Sequence, residues 1–343
     1  MEDILYRIEK DNTRVVEKMA VRRLYEDLKE KIHLELIVSE GMDIRYFAQR
    51  DLHRPGLALA GFVKLFTHDK IQILGNTENY YLLSQDDSER HVALETIFEF
   101  EMPCIIVTNG NKIMPEMSAL CEKKKVPLMV TELSTTDTIH LISNYLDEMF
   151  APEMTMHGSM VDVYGIGMIL MGKSGIGKSE IALDLVERGH RLVADDTIRI
   201  SRTSGGILMA RGHDTLKHFL EVRGVGILDV REMFGIRAVR VQKRVEVVVD
   251  LQLWDGKEEY ERLGLDDHTV EYLGVKIPIV KLPIYPGKNI TVIAEAIALN
   301  LLLKVYGYDA AKIFTDRLSE EIRNKNKNAK SYVTNKFLDG DKE

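Results

Sequence analysis

Cysteine is scarce, with Cys104 and Cys121 the only two in 343 residues. They form no CxxC pair and no ligand-like cluster, so a disulfide framework is excluded and both read as small buried hydrophobes of a reducing compartment. Basic charge is also in the minority. Lys and Arg number 46 against 54 Asp and Glu, a net charge of -8, which argues against a general affinity for DNA, RNA or anionic membrane. No uninterrupted apolar stretch reaches the about 20 residues of a membrane span; the longest candidate, Ile290 to Tyr306, is broken by Glu295, Asn300 and Lys304. The opening residues MEDILYRIEKDN are acidic and lack the basic-then-apolar order of a signal peptide. Internal repeats and low-complexity tracts are absent too. These absences predict a cytoplasmic protein with no nucleic-acid and no membrane partner.

What is present is a globular composition, 45% hydrophobic and 29% charged, in a chain long enough for two domains. Residues 12 to 32 place Val15, Val16, Met19, Leu24 and Leu28 at roughly helical spacing behind Asn12 and Thr13 as N-caps, which predicts a first helix. Short β-branched runs at 33–40, 69–76, 104–110 and 127–133 predict strands, and helical patterns at 88–100, 115–124 and 136–149 separate the later ones. The alternation predicts a smaller N-terminal α/β domain over residues 1–150 and a second domain over 151–343. In the first domain, His53-Arg54-Pro55-Gly56 reads as a turn rather than an anion site, and Asn109-Gly110 as turn chemistry. No constellation there assigns a role.

The second half carries chemistry. An apolar strand, Gly167 to Met171, runs into Gly172-Lys173-Ser174-Gly175-Ile176-Gly177-Lys178-Ser179 and then into a helical pattern. This is the G-x-x-x-x-G-K-[ST] phosphate loop in its strand–loop–helix context. Its glycines let backbone N–H groups approach phosphate oxygens, and the helix turns its positive dipole end toward them. Lys178 suits the β- and γ-phosphates of ATP, and the Ser179 hydroxyl suits Mg²⁺.

A second short strand, Arg191 to Ala194, ends in Asp195 and Asp196, only 18 residues past Lys178. Carboxylates so placed can hold Mg²⁺ or take a proton from an attacking hydroxyl. His157 precedes the strand Met160 to Tyr164, and a lone histidine carries little by spacing alone. In Glu221-Val-Arg223-Gly-Val-Gly-Ile-Leu-Asp229 the glycines admit two readings, phosphate contact through the backbone or a tight bend.

Five segments in order resemble the bacterial HPr kinase/phosphorylases: HGSMVDVYGIGMILMGKSGIGKSE, LVADD, LEVRGVGILDV, ERLG at 261–264, and LPIYPGKN. The resemblance covers most of residues 150 to 310 and is weaker before that. It implies a phosphate-loop catalytic domain similar to phosphoenolpyruvate carboxykinase, and an N-terminal domain similar to one in the cell-wall peptide ligases. It also implies a homohexamer that uses ATP to phosphorylate a regulatory serine of the phosphocarrier protein HPr and removes the phosphate by phosphorolysis. By position, Lys178 matches the phosphate-holding lysine, Ser179 and Glu221 match Mg²⁺ positions, and Asp196 matches the base. His157 matches the catalytic histidine and Arg262 a mobile-loop arginine. Pro283, Ile284, Tyr285, Pro286, Gly287 and Lys288 match a loop tied to phosphorolysis, which in the family commonly carries two basic residues. This chain has Tyr285 at one of those places and keeps Lys288.

Two other readings share the loop. A phosphate-loop kinase for a small metabolite would leave HPr unmodified, and an ATP-sensing regulator would bind nucleotide without comparable turnover. The acceptor and the turnover discriminate among the three.

Overall fold

The computed structural model describes residues 3–8, 13–213, 215, 217–254, 268–285 and 287–338, with side chains through residue 324. The chain divides into two compact units. One comprises Met1–Met154 with Ser201–Gly206, and the other Thr155–Ile200 with Ile207–Glu343.

The first unit is built on a five-stranded sheet. Its strands are β1 (Glu35–Val38), β2 (Leu52–His53), β3 (Ile71–Leu74), β4 (Ile105–Val107) and β5 (Leu128–Val130), in the spatial order β1-β5-β4-β3-β2. β2 through β5 run parallel and β1 is antiparallel to β5. The parallel strands β3 and β4 are buried along their whole length, as expected where helices cover both faces of a sheet. On one side α3 (Asp87–Phe98) and α4 (Pro115–Lys124) contribute Leu94, Ile97 and Leu120 to a core with Leu74 and Val107. On the other, α1 (Val21–Leu28) and α5 (Thr135–Met149) contribute Leu24, Leu28, Ile142 and Leu146 against Ile73 and Ile106. The helix α2 (Asn76–Ser84) follows β3 directly.

The helix expected across 12–32 is corrected. Arg14–Ala20 is a strand paired with Ile4–Ile8, and helix begins only at Val21. Val15 and Val16 favour the pleated surface that pairing offers, and the apolar spacing that looked helical serves a strand and then a helix in succession. Thr13 caps nothing, since Ala20 stands at the N-cap; Asn12 lies outside the described residues. The turn reading holds at Asn109 and Gly110, which both take positive φ. At residues 53–56 it is corrected: His53 ends β2, the buried Pro55 caps the short helix Gly56–Leu59, and Arg54 pairs at 2.7 Å with the buried Glu78.

The second unit holds a six-stranded mixed sheet. Its strands are β6 (Ser159–Val163), β7 (Ile166–Gly172), β8 (Arg191–Ala194), β11 (Val247–Leu253), β12 (Thr269–Tyr272) and β13 (Val275–Ile284). The hairpin β9 (Phe219–Val222) and β10 (Gly226–Asp229) stands apart from it. The order β8-β6-β7-β11-β13-β12 puts β7 near the middle, parallel to β11, which is parallel to β13. Central placement explains why Ile166 to Leu170 is buried without alternation. Two helices, α6 (Lys178–Glu187) and α7 (Ile290–Val305), pack Ala182, Leu185, Ala294 and Ala298 into its core.

Glu295, which interrupts the apolar run of α7 in sequence, is buried. Arg188 grips it with bonds of 3.0 and 2.6 Å, and His190 Nε2 lies 3.0 Å away. The Arg188 guanidinium, together with His190, holds the Glu295 carboxyl down at about 2. The polar residue thus fastens α7 to the end of α6. After it comes α8 (Ala310–Leu338), the last of the described elements. Among the described residues no single helix is long and apolar enough to cross a membrane.

Candidate active site

The loop between β7 and α6 is shaped by two glycines. Gly172 has φ +140°, and a Cβ there would lie 2.6 Å from the Leu251 carbonyl oxygen of the neighbouring strand; Gly175 has φ +80°, and its Cβ would lie 2.5 Å from the Arg223 guanidinium. A Cβ at Gly172 would meet backbone and open the loop, whereas at Gly175 the Arg223 side chain could swing aside and the cost is the positive φ. The turn aims the N-terminus of α6, which starts at Lys178, at a pocket lined by Ser174, Gly175, Gly177, Lys178, Ser179, Glu180, Asp195, Asp196, Glu221 and Arg223. Lys178 Nζ donates to the carbonyls of Gly172 and Lys173 at 3.1 and 3.2 Å. Its charge therefore rests on loop oxygens rather than on a carboxylate, ready for a stronger anion. Of the remaining loop residues, Ile176 packs against the apolar core, which anchors the turn without lining the pocket.

The two aspartates after β8 part company. Asp195 is buried and accepts hydrogen bonds from the Ser159 hydroxyl, from the Ser179 hydroxyl at 2.9 Å and from the Glu221 N–H at 3.3 Å. Burial pushes its carboxyl up, against the hydrogen bonds that pull it down. Asp196, one residue on, takes the left-handed conformation at φ +61° and is 68% exposed at its side chain. That backbone state is costly for a residue with a Cβ, although aspartate tolerates it better than most, and it turns this carboxylate outward into the pocket. His157, at the end of the strand Glu153–His157, places Nδ1 3.2 Å from the Asp196 carbonyl oxygen and 3.8 Å from its Oδ1. A carbonyl only accepts, so Nδ1 carries a proton in this contact.

The donor set fits Mg²⁺. The carboxylates of Asp195 and Glu221 and the Ser179 hydroxyl line one pocket, and all are hard oxygen ligands. Asp195 is a buried carboxyl group whose partners are hydroxyls and backbone N–H groups, an environment that suits a cation. Among the described residues no three His, Cys, Asp or Glu side chains come together as a metal-binding group by themselves.

Two contributors were not legible in the sequence. Arg223 lines the pocket and sends Nη2 to within 3.4 Å of Ser174 Oγ. The signal was its period-two spacing from Glu221, which puts both on one side of buried Val222. Ser159 had no such signal. It reaches Asp195 because β6 pairs with β8, matching Met160 with Ala194. The Glu221–Asp229 segment is a hairpin, so its glycines serve the bend.

Of the residues matched above to a loop tied to phosphorolysis, Pro283 and Ile284 end β13 and Tyr285, Gly287 and Lys288 follow it. Lys288 Nζ donates to the Pro283 carbonyl at 3.0 Å and lies 5.1 Å over the Tyr285 ring. These five do not line the loop pocket. Arg262, with the rest of 261–264, and Pro286 lie outside the described residues.

Comparison with known proteins matches residues 19–146 to the HPr Serine kinase N terminus and 148–318 to the HPr Serine kinase C-terminal domain. An HPr kinase/phosphorylase of Chloroherpeton thalassium is 51% identical over 306 residues, covering 89% of this chain and 90% of its own. One of Prosthecochloris aestuarii is 50% identical over 309 residues, covering 89% and 91%. The solved Hpr(Ser) kinase/phosphatase of Coxiella burnetii is 31% identical over 47% of this chain and 98% of that one, with a TM-score of 0.42. With about half of all positions shared over nine-tenths of its length, and both of its halves matched by the family's models, the chain belongs to the HPr kinase/phosphorylase family.

Proposed function

We propose that the chain transfers the γ-phosphoryl group of ATP to a serine of HPr, and in reverse passes that phosphoryl group to inorganic phosphate to give pyrophosphate, both in the pocket between the loop and Asp196. The observation that carries this reading is the division between the two aspartates, one buried against Ser179 and one exposed beside His157. A kinase needs one carboxylate for the metal side and another for the acceptor's proton.

In the forward direction Lys178 and the N–H groups of the loop receive the phosphates, and Arg223 adds charge at the loop's outer side. Ser179, Asp195 and Glu221 would hold Mg²⁺, which would supply neutralising charge to the polyphosphate. Asp196 accepts the serine proton as the hydroxyl oxygen attacks the γ-phosphorus and the bond to the ADP oxygen breaks. The His157 Nδ1–H, held on the Asp196 carbonyl, fixes the strained turn that presents the carboxylate. In the dephosphorylation an oxygen of inorganic phosphate, in place of the ADP oxygen, attacks the phosphorus of phosphoserine, the bond to the serine oxygen breaks, and Asp196 returns the proton to that oxygen, as it would in the strict reverse of the kinase step. Arg262 contributes charge when its loop closes, and the Pro283–Lys288 segment serves the incoming phosphate. The finer reading includes a catalytic unit over 151–343 similar to phosphoenolpyruvate carboxykinase, an N-terminal unit over 1–150, a homohexamer and a cytoplasmic location.

The acceptor tests the reading. Incubation with labelled ATP, Mg²⁺ and purified HPr is expected to put label on an HPr serine; an unlabelled HPr with a phosphorylated small molecule would replace it with the metabolite-kinase reading.

A further inference from the structure

The two oxygens of the Asp195 carboxyl group meet different parts of the molecule. Oδ2 belongs with the other cation donors, accepting from the Ser179 hydroxyl at 2.9 Å and from the Glu221 N–H at 3.3 Å. Oδ1 accepts from the Ser159 hydroxyl, a group from another strand that has no place among those donors.

Ser159 is fully buried, and its position is set by the sheet. β6 lies between β8 and β7, with Ser159 paired to Leu170 on one side and Met160 to Ala194 on the other. Alternation along the strand puts Ser159, Val161 and Val163 on one face, and the two valines pack into a core with Ala182 and Leu185 of α6. The serine is thus a hydroxyl on an otherwise apolar face. A hydroxyl buried there without a partner would be destabilising, and its partner is the aspartate. A rigid strand therefore holds one carboxyl oxygen in place while the other stays with Ser179 and Glu221.

We propose that Ser159 is a positioning residue that confines Asp195 to ligation through one oxygen and so sets the site's preference for Mg²⁺ over Ca²⁺. The proposal deepens the reading above, and rests on it, in taking Ser179, Asp195 and Glu221 as the cation donors. Mg²⁺ demands a small, near-ideal octahedron, whereas the larger Ca²⁺ readily takes a carboxylate through both oxygens. For Ca²⁺ to do so here, the bond from Ser159 has to break and leave a buried hydroxyl unpaired. Mg²⁺ bound through Oδ2 meets no such penalty. Ser159 touches neither cation nor phosphate in this role and acts through Asp195, as the outer partners of metal ligands do.

The full-length protein is titrated with Mn²⁺, whose free-ion paramagnetic resonance signal falls as it binds, and the bound Mn²⁺ is then displaced with Mg²⁺ or with Ca²⁺. The ratio of the two affinities is read for wild type, Ser159→Ala, Ser159→Val and Ser159→Thr, the last two alike in shape and different in the hydroxyl. Ser159→Ala and Ser159→Val are expected to lower the Mg²⁺-to-Ca²⁺ affinity ratio about tenfold, and Ser159→Thr to keep it near wild type. A hydroxyl that served only the fold would weaken both ions alike and leave the ratio unmoved. Should the added bulk keep Ser159→Val and Ser159→Thr from folding, the smaller Ser159→Ala decides alone. An unchanged ratio in Ser159→Ala, or a ratio lowered as far in Ser159→Thr, would overturn the role of Ser159. Mn²⁺ binding as tight in Ser179→Ala as in wild type would remove the cation site and the proposal with it. Failure of HPr to gain phosphoserine while the ratio still shifts would instead remove the acceptor and leave Ser159 in its role.

Discussion

The two units place polar side chains at the carboxyl ends of parallel strands and use them in opposite ways. In the first unit the groups satisfy one another. Arg54 meets Glu78 at 2.7 Å, Thr108 and Thr135 share a bond of 2.7 Å, Asn109 donates to Thr135 at 2.9 Å, and Asn79 donates to Asn111 at 3.1 Å. In the second, Lys178 leans on two carbonyls and Asp195 is buried among hydroxyls and N–H groups. A closed network rigidifies a domain, whereas charges left without opposite partners are poised for a ligand. Sheet architecture alone therefore does not mark the active unit; the state of its charges does.

The sharpest way to break this contrast is to remove the charge on the open side. Lys178→Ala is expected to lower both directions of phosphoryl transfer by about 1,000-fold, the upper scale for a lost anion-stabilising group, with thermal stability little changed. A variant that still phosphorylates HPr at near the wild-type rate would mean that the loop has been misread.

Next in size, Asp196→Asn is expected to slow kcat by about 100-fold or more with ATP binding retained. Asp195→Asn should act differently, raising the Mg²⁺ concentration needed for half-maximal rate. Steady-state kinetics over a Mg²⁺ series separates the two, and a larger kcat loss in Asp195→Asn would move the base to that residue.

On the closed side, Glu78→Ala strips partners from the Gly75 N–H and from Arg54. It is expected to cost about 1–3 kcal/mol of stability in urea unfolding while kcat under folding conditions holds. A kcat loss with unchanged stability would give the first unit a part in catalysis.

The last effect, seen in stability at low pH and not in turnover, concerns Glu295. Its folded-state carboxyl is depressed from 4.5 to about 2, so its contribution to stability is complete above pH 4.5 and is lost as pH falls toward 2. The difference in unfolding free energy between wild type and Glu295→Gln should therefore be constant above pH 5 and shrink over that window; a difference independent of pH would assign the residue a packing role only.

Legibility followed the distance over which each feature is encoded. The phosphate loop was readable because strand, glycines, lysine and helix are consecutive, and the strand Arg191–Ala194 because it is short, apolar and ends in two acids. The roles of those acids were not readable. One step of backbone separates them, and only the pairing of β6 with β8 and the positive φ at Asp196 turn one inward and the other outward. Ser159 and Arg223 were hidden for the same reason, since strand pairing and a hairpin bring them from elsewhere in the chain. Arg14–Ala20 was misread because Val15, Val16 and Met19 suit either period over so short a run, and strand pairing decided between them.

The central claim is that one pocket with one proton carrier serves both directions. HPr labelled at its serine phosphate is mixed with unlabelled inorganic phosphate and either wild type or Asp196→Asn, and the labelled product is identified alongside the forward rate of each. Labelled pyrophosphate from wild type, with both rates falling together by a similar factor in Asp196→Asn, is the predicted result. Labelled orthophosphate as the product, or one direction left intact in the variant, would contradict it.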